Sequence, residues 1–449
     1  MTSRTRFAAK LVAIAVTLAT SHPTFAAEAE EYGELKLQME QLKEKLLALE
    51  QTQRVAEQKQ EQKQAALAES VVTAGATKGS FRLPGSNTSV TFGGYVKLDA
   101  VFTNPSAGVD STADLFLQPN AIPVGPGAGD NEHKQVKLGA RESRLFAKTS
   151  TPTPLGDLVT YIEGDFYGAD GNESVSNSSG PRLRHAYGTL GHFLAGQTWT
   201  NFMFVSALPE TLDFGGPVGQ IFARQAQVRW TQPFAASRSL AGGQWSVALE
   251  NPESVITVPG GASFRADDDR VPDITGQLLF NTDKARIAVS GILRQIRSDS
   301  KSPSLVDQAW GGALSVAGVV PAFGKDDLRF VLSAGNAIGR YSDGFFSDGV
   351  VGSDGQMRLP RQWGWYAAYR HLWTERLRSN LVLSTAAATN PAGAPASTNR
   401  STRSAHLNLI WTPVANTDLG VEYIHASRET EDRLTGHLNR LQLSAKYAF

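Results

Sequence analysis

RLQLSAKYAF, residues 440–449, closes the chain, and its reading decides the fold class. Leu441, Leu443, Ala445, Tyr447 and Phe449 alternate with Arg440, Gln442, Ser444, Lys446 and Ala448. A period of two is the mark of a strand with one apolar and one polar face. The same alternation recurs upstream. Val90, Phe92, Val96, Leu98 and Phe102 oppose Thr91, Tyr95, Lys97 and Asp99, and Leu158, Ile162 and Phe166 oppose Tyr161, Glu163 and Asp165. Ile287, Val289 and Leu293 oppose Arg286, Ser290 and Arg294, and Leu407, Leu409 and Trp411 oppose His406, Asn408 and Thr412.

Between these segments short and long connections take turns. Short ones fall near residues 150–156, 190–191, 233–243, 281–283, 321–326, 373–376 and 412–417. Long polar ones fall near 104–133, 168–181, 200–220, 257–272, 298–308, 341–359, 389–402 and 428–436. Short turns at one end and long loops at the other suit a barrel that crosses an outer membrane and have no cause in a soluble sandwich. Trp230, Trp373 and Trp411 fall at the expected periplasmic ends and Trp199 at an outer end, as an interfacial girdle requires. The expectation is an all-β chain: a sixteen-stranded antiparallel transmembrane β-barrel over residues 89–449, the strand number held to within about two.

The start of the chain has another character. Arg4, Arg6 and Lys10 precede the apolar run Leu11–Ala19, and Thr24-Phe25-Ala26 offers a small-x-small cleavage site, so residues 1–26 read as a signal peptide. Residues 28–69 contain no Pro and place Tyr32, Leu35, Met39, Leu42, Leu46 and Leu49 at spacings of three and four, which predicts a short α-helical coiled coil that weakens after Gln53. No other segment carries a matching heptad, so copies of the same chain are the expected partners. Residues 70–88, with Gly75, Gly79, Pro84 and Gly85, read as a linker.

Composition removes other classes. The 449 residues hold 43 basic and 43 acidic side chains, without the basic excess of a nucleic-acid binder. Cys is absent, which excludes disulfides, thiolate metal sites and a cysteine nucleophile. After residue 27 no apolar run is long enough for a membrane helix. Catalytic signatures such as G-x-S-x-G and H-E-x-x-H are missing, and the histidines are scattered without metal-ligand spacing. Neither an enzyme nor a cofactor is expected. The Asp267–Asp269 run reads as a solvated loop.

Charge placement points to a pore. Acidic residues crowd the loops, whereas Arg falls within strands on the polar phase. A cation facing lipid costs about 2–4 kcal/mol at mid-membrane, so these residues face the lumen. The candidates are Lys97, Arg141, Arg144, Arg182, Arg184, Arg229, Arg286 and Arg294. Arg141 and Arg144 are both inward by their nearest neighbours, two phases that conflict and predict a bulge near Glu142. The loop 200–220 holds Phe204, Leu208, Leu212 and Phe214, too apolar for a free outer loop. Either it folds into the barrel, with Glu210 and Asp213 opposing Lys97, Arg144, Arg182 and Arg184, or it packs at a subunit interface.

Several stretches carry a family likeness: SVTFGGYVKLDAVF (89–102), ARESRLFAKTSTPTPLGDLVTYIEGDFYG (140–168), PRLRHAYGTLGHFLAGQTWTNF (181–202), ALENPES (248–254), GNAIGRY (335–341), HLNLIWTP (406–413) and GVEYIH (420–425). Together with the signal peptide and coiled coil, the chain resembles the DcaP-like porin family of Gram-negative bacteria. The resemblance implies a homotrimer in the outer membrane, surrounded by lipid and lipopolysaccharide, with the helical segment in the periplasm. It also implies diffusion of small organic anions such as dicarboxylates. In outer-membrane proteins a terminal strand ending in Phe belongs to the assembly signal, which assigns Tyr447 and Phe449 here. A general non-selective porin, an outer-membrane lipase, and an envelope tether whose coiled coil holds peptidoglycan or a periplasmic partner remain open at this stage.

Overall fold

A computed structural model describes residues 25–70, 72–106, 115–126, 133–172, 176–237, 242–266, 268–282, 284–301, 304–342, 345–352 and 354–449. The chain divides into two units, Met1–Thr73 and Ala74–Phe449.

In the first unit, helix α1 spans Phe25–Ser70. Its Ala, Leu, Glu, Gln and Lys are strong helix formers, and it contains no Pro. The expected segment 28–69 lies inside it. Leu35, Met39, Leu42, Leu46 and Leu49 are each more than half exposed, so the apolar seam has no cover among the described residues. The expected signal peptide lies outside the described residues apart from Phe25 and Ala26. No described helix is long and apolar enough to cross a membrane.

The second unit is a closed barrel of sixteen antiparallel strands, as the sequence predicts. They are β1 (Ser89–Ser106), β2 in two pieces (His133–Gly139 and Arg144–Thr153), β3 (Gly156–Asn172), β4 (Ser178–Leu190), β5 (Phe193–Trp199), β6 (Arg224–Phe234), β7 (Gly243–Glu250) and β8 (Asp273–Asn281). They continue with β9 (Arg286–Lys301), β10 (Ser304–Pro321), β11 (Asp327–Gly335), β12 (Arg361–Leu372), β13 (Leu377–Thr389), β14 (Asn399–Trp411), β15 (Thr417–Thr430) and β16 (Thr435–Ala448). Each strand pairs with the next in sequence, and β16 closes on β1 from Asn439↔Asn104 to Ala448↔Tyr95. Closure leaves no edge in lipid. Beyond the strand, Phe449 exchanges backbone hydrogen bonds with Gly94, which carries the seam to the last residue.

Burial is inverted relative to a soluble protein. On β14, Leu407, Leu409 and Trp411 face outward and are exposed, while His406 and Asn408 face inward and are buried. Trp373 and Trp411 are exposed at the short-turn end, as a girdle requires. Trp199 differs from expectation. At the end of β5 its ring turns into the lumen against Phe222 and His185, because the chain bends inward there.

Two other segments depart from the reading. In the linker, Phe81–Arg82 pairs with Val90 and Ser89 of β1, helped by a turn at Pro84-Gly85 where Gly85 has φ +68. The loop expected over 298–308 is mostly strand, since β9 and β10 stay paired to Lys301↔Ser304. The loops after β7 and β11 build a separate small sheet. Ser254–Thr257 pairs antiparallel with Ser263–Ala266, and its Ile256 and Thr257 run parallel to Gly349 and Val350. In that region, partial burial lifts the carboxyl of Asp269 to about 6. A carboxyl raised by folding favours the folded loop as pH falls through about 6, so these contacts are firmer in mild acid than at neutrality.

The lumen is not filled evenly. Leu117 and Ile122 of the first loop, Val218 of the loop after β5, and Phe345 and Phe346 of the loop after β11 pack on Ala386, Ala388, Ile424, Ala426 and Leu438 of β13, β15 and β16. Phe204 and Ala207 pack on inward residues of β8–β13, including Leu279, Val331, Tyr366 and Val382. Apolar inward residues therefore hold the loops against one side of the wall.

Candidate functional site

Two bulges shape the remaining open wall. Between β1 and β2, Asp99 pairs with Gly139 but Tyr95 pairs with Arg144, so β2 carries one extra residue, in the place predicted from the phase conflict. The bulge brings Glu142 to an ion pair with Lys97. In β4, His185 pairs with Glu163 and Leu183 with Gly164, leaving Arg184 extra. Arg184 and His185, adjacent in sequence, are consequently both buried in the lumen wall. Bulges next to functional sites re-aim side chains in this manner.

The cations so placed form a ladder with carboxylates of β3. Arg144 Nε lies 3.3 Å from Glu163 Oε1. Arg184 donates from Nε to Glu163 Oε1 at 2.7 Å and from Nη1 to Asp165 Oδ2 at 3.0 Å. Arg182 grips Asp165 with two parallel bonds of 2.9 and 2.7 Å. The partners are not equally accessible. The Arg182 side chain is 29% exposed and Arg144 21%, against 0% for Asp165 and 9% for Glu163. The Arg182 and Arg144 guanidinium groups stand in front, with the carboxylates behind them, while Arg184, 3% exposed, lies as deep as its partners.

The loop 200–223 crosses the lumen, in line with the first of the two sequence readings. It is held on the far side by Tyr366 Oη to Ala207 O at 3.0 Å, Arg329 Nη1 to Leu208 O at 2.7 Å and Asn408 Nδ2 to Glu210 O at 2.8 Å. On the near side Lys97 Nζ donates to Leu212 O at 2.7 Å. Glu422, fully buried on β15, accepts from the Leu212 and Asp213 N–H groups at 2.8 and 3.2 Å and from Asn408 Nδ2 at 2.8 Å. Between loop and wall lies a cavity of about 490 Å³. Lys97, Glu142, Arg144 and Arg184 line one side, Glu210 and Asp213 the loop, and Arg378, Asp418 and Lys446 the rest.

Glu210 and Asp213 share this cavity with Lys97, Arg144 and Arg184, but neither is paired with them. Glu210 is gripped by Arg378, with Nη2 to Oε1 at 2.6 Å. Asp213 accepts from the Leu117 and Gly216 N–H groups at 2.8 and 3.0 Å and lies 3.5 Å from Arg440 Nη1. Both loop carboxylates are thus met by other cations, and their opposition to Lys97, Arg144 and Arg184 across the cavity is weaker than the sequence reading expects. Arg182 sits toward the outer end of β4, with its guanidinium over the rings of Tyr167 and Phe214. Arg141 lies in the β2 bulge, its carbonyl accepting from Phe166 N–H. Arg229 donates to Trp199 O at 3.2 Å and Gln227 Oε1 at 3.0 Å. Arg286, at the short-turn end of β9, lies over the Phe204 ring.

Arg294 is a correction to the expected pore set. It faces inward by parity, yet it is 0% exposed, sealed beneath the loops after β7 and β11 and bonded to Asp273 and Asp348. Parity reports the side of the wall, not whether a loop covers it. Glu142, Glu163, Asp165, Arg224, Arg378 and Glu422 were not singled out from sequence. The phase conflict at 141–144 carried a signal for Glu142, and inward parity on β3 carried one for Glu163 and Asp165.

The anchor at Glu422 makes a test. Glu422→Ala strands two loop N–H groups, each costing about 1–3 kcal/mol when buried without an acceptor. The loop should detach from β15, and single-channel recordings should show a larger and noisier conductance. An unchanged conductance would mean that the loop is held without this carboxylate.

A family model described as DcaP outer membrane protein matches residues 24–449. Among solved structures, the outer membrane channel DcaP of Acinetobacter baumannii aligns with a TM-score of 0.69 at 24% identity, covering 84% of this chain and 100% of that one. An anion-selective porin from Comamonas acidovorans aligns at 0.52 and 12% identity, covering 81% and 100%. In-vitro folded OmpT of Vibrio cholerae, in its trimer form, aligns at 0.50 and 11% identity, covering 81% and 99%. No curated protein matches.

Proposed function

The chain belongs to the DcaP outer membrane protein family, a family of outer-membrane channels, and on that premise we propose that it passes small anionic solutes, short dicarboxylates among them, by diffusion. The observation that carries this reading is the unequal exposure in the ladder. Arg182 and Arg144 present guanidinium groups to the lumen while Asp165 and Glu163 are recessed behind them. An ion in the pore meets the front charge first. A guanidinium is charged at any relevant pH and takes a carboxylate through two parallel N–H bonds. Successive cations at Arg182, Arg184, Arg144 and Lys97 give a dianion a chain of weak sites, attractive enough to enter and weak enough to leave. The structural neighbour that is an anion-selective porin shares the architecture, and the choice of dicarboxylates follows from the family likeness.

The test is a reversal potential across a KCl gradient with purified protein in planar bilayers, followed by addition of a short dicarboxylate. Anion preference with measurable block supports the reading. Cation preference overturns it, and equal permeability of both ions returns the protein to the general porins.

We propose further that the protein is a homotrimer whose α1 seams meet as a periplasmic coiled coil, and that Tyr447 and Phe449 belong to its assembly signal. The exposed Leu35, Met39, Leu42, Leu46 and Leu49 favour this, since an apolar heptad seam is stable only when covered. The barrel closes its own hydrogen bonds and needs no helix to fold. The full-length protein should migrate on SDS gels as an oligomer that boiling converts to monomer. Deleting residues 28–69 should leave conducting barrels in a less heat-resistant oligomer. Loss of membrane insertion in the deletion would contradict this division of labour.

A further inference from the structure

Arg224 opens β6 beside the outer end of β5, with Trp199 as its backbone partner. Its guanidinium carbon lies 4.4 Å from the Trp199 ring centroid and 5.6 Å from that of Phe222. Its Nη1 is buried and has no hydrogen-bond partner, and among the described residues no carboxylate ion-pairs with it. That separates it from Arg182 and Arg184, which are both bonded to Asp165. The Trp199 ring is shared, because Arg184 lies over it at 5.9 Å. Phe214 continues the series. It meets Phe222 edge-on at 5.9 Å and carries Arg182 at 5.2 Å and Arg184 at 5.6 Å.

Aromatic faces hold a guanidinium in place without neutralising it. A buried N–H with no acceptor is costly, and a cation with no ion-paired carboxylate adds to that cost. Arg184 and Arg182 each act on Arg224 more strongly than the opposing charge of Asp165, so the local potential is positive and the missing acceptor should carry negative charge. We infer that Arg224 is an anion-binding site at the outer side of the constriction, taking one carboxylate of an incoming solute and delivering it across Trp199 to Arg184. This rests on the anion preference proposed above and adds a site and a direction to it.

The experiment uses full-length protein in planar bilayers, with the KCl reversal potential recorded first and glutarate then added to one side at a time. In Arg224→Gln the rate of blocking events from the outer side should fall about tenfold, the scale of losing a charge-assisted hydrogen bond, while the rate from the periplasmic side changes less than about twofold. Arg224→Lys keeps the charge but loses the two-pronged grip. It should hold the reversal potential and still weaken outer-side block. This variant carries the test alone if Arg224→Gln fails to assemble. Outer-side block unchanged in either variant, or lowered equally from both sides, overturns the inference while leaving an anion-selective pore intact. Cation preference in the parent protein overturns both.

Discussion

Reversing Arg182 and Arg184 together to Glu is expected to convert an anion-preferring channel into a cation-preferring one. In the parent protein these two guanidinium groups are bonded to Asp165 and Glu163, and Arg182, the more exposed of the two, fronts Asp165 on the lumen side. After reversal, four carboxylates share that stretch of wall, with Arg144 and Arg224 still near them. Two unit charges at 4 Å interact by about 4 kcal/mol at an effective dielectric constant of 20, so a change of four charges beside a narrow cavity cannot pass unseen. The KCl reversal potential should change sign, with a permeability ratio moved by about tenfold or more. Crowded carboxylates also strain β3 and β4, so assembly is checked first by heat-modifiable migration on gels. Should the double variant not assemble, Arg182→Glu alone serves, because that side chain is the more exposed of the two and its replacement can turn toward water. A properly assembled double variant with the parent's selectivity would mean that the current does not pass along this wall.

How far the sequence reveals such a site depends on which physical signal each residue leaves. Strand alternation and the alternation of short with long connections leave period-two and length signals, and both the barrel and its sixteen strands follow from them. The bulge at Glu142 is legible for the same reason, since two inward phases cannot coexist without an extra residue. The inward loop is legible because Phe204, Leu208, Leu212 and Phe214 have no place in water. What covers the wall is another matter. Ile424 and Ala426 are apolar on the lumen face, and they break the alternation where loops pack on β15. Read in reverse, apolar residues on the polar phase mark the filled side of a barrel. Glu422 and Arg378 leave no signal of their own in the sequence, because their partners on the loop lie 210 and 168 residues away. Trp199 departs from its expected place for a related reason: its position at a strand end suits a girdle, but only the bend of the following chain decides which way the ring turns.

Arg294 gives the sharpest contrast between inward and pore-facing. Its Nε donates to Asp273 Oδ2 at 2.9 Å, Nη1 to Asp348 Oδ1 at 2.5 Å, and Nη2 to Glu253 O at 2.7 Å, while Tyr341 Oη donates to the same Asp273 oxygen at 2.8 Å. Asp348 in turn accepts from the N–H groups of Val255 and Arg340. One guanidinium thus ties β8 and β9 to the loops after β7 and β11. In Arg294→Met two carboxylates stay buried with no cation, a loss of about 3–5 kcal/mol for a broken buried pair. The midpoint of thermal unfolding, read by gel mobility, should fall, and the loops around 253 and 348 should become sensitive to protease. Selectivity should move far less than in the Arg182 and Arg184 reversal, because Arg294 meets no water. Adding Asp273→Asn and Asp348→Asn to Arg294→Met should recover much of the stability, since a buried ionic network replaced as a whole by neutral groups is often near neutral in cost. A triple variant no better than Arg294→Met would show that shape, not charge, holds the loops. A large selectivity change in Arg294→Met with the loops still protected would put this residue back in the pore.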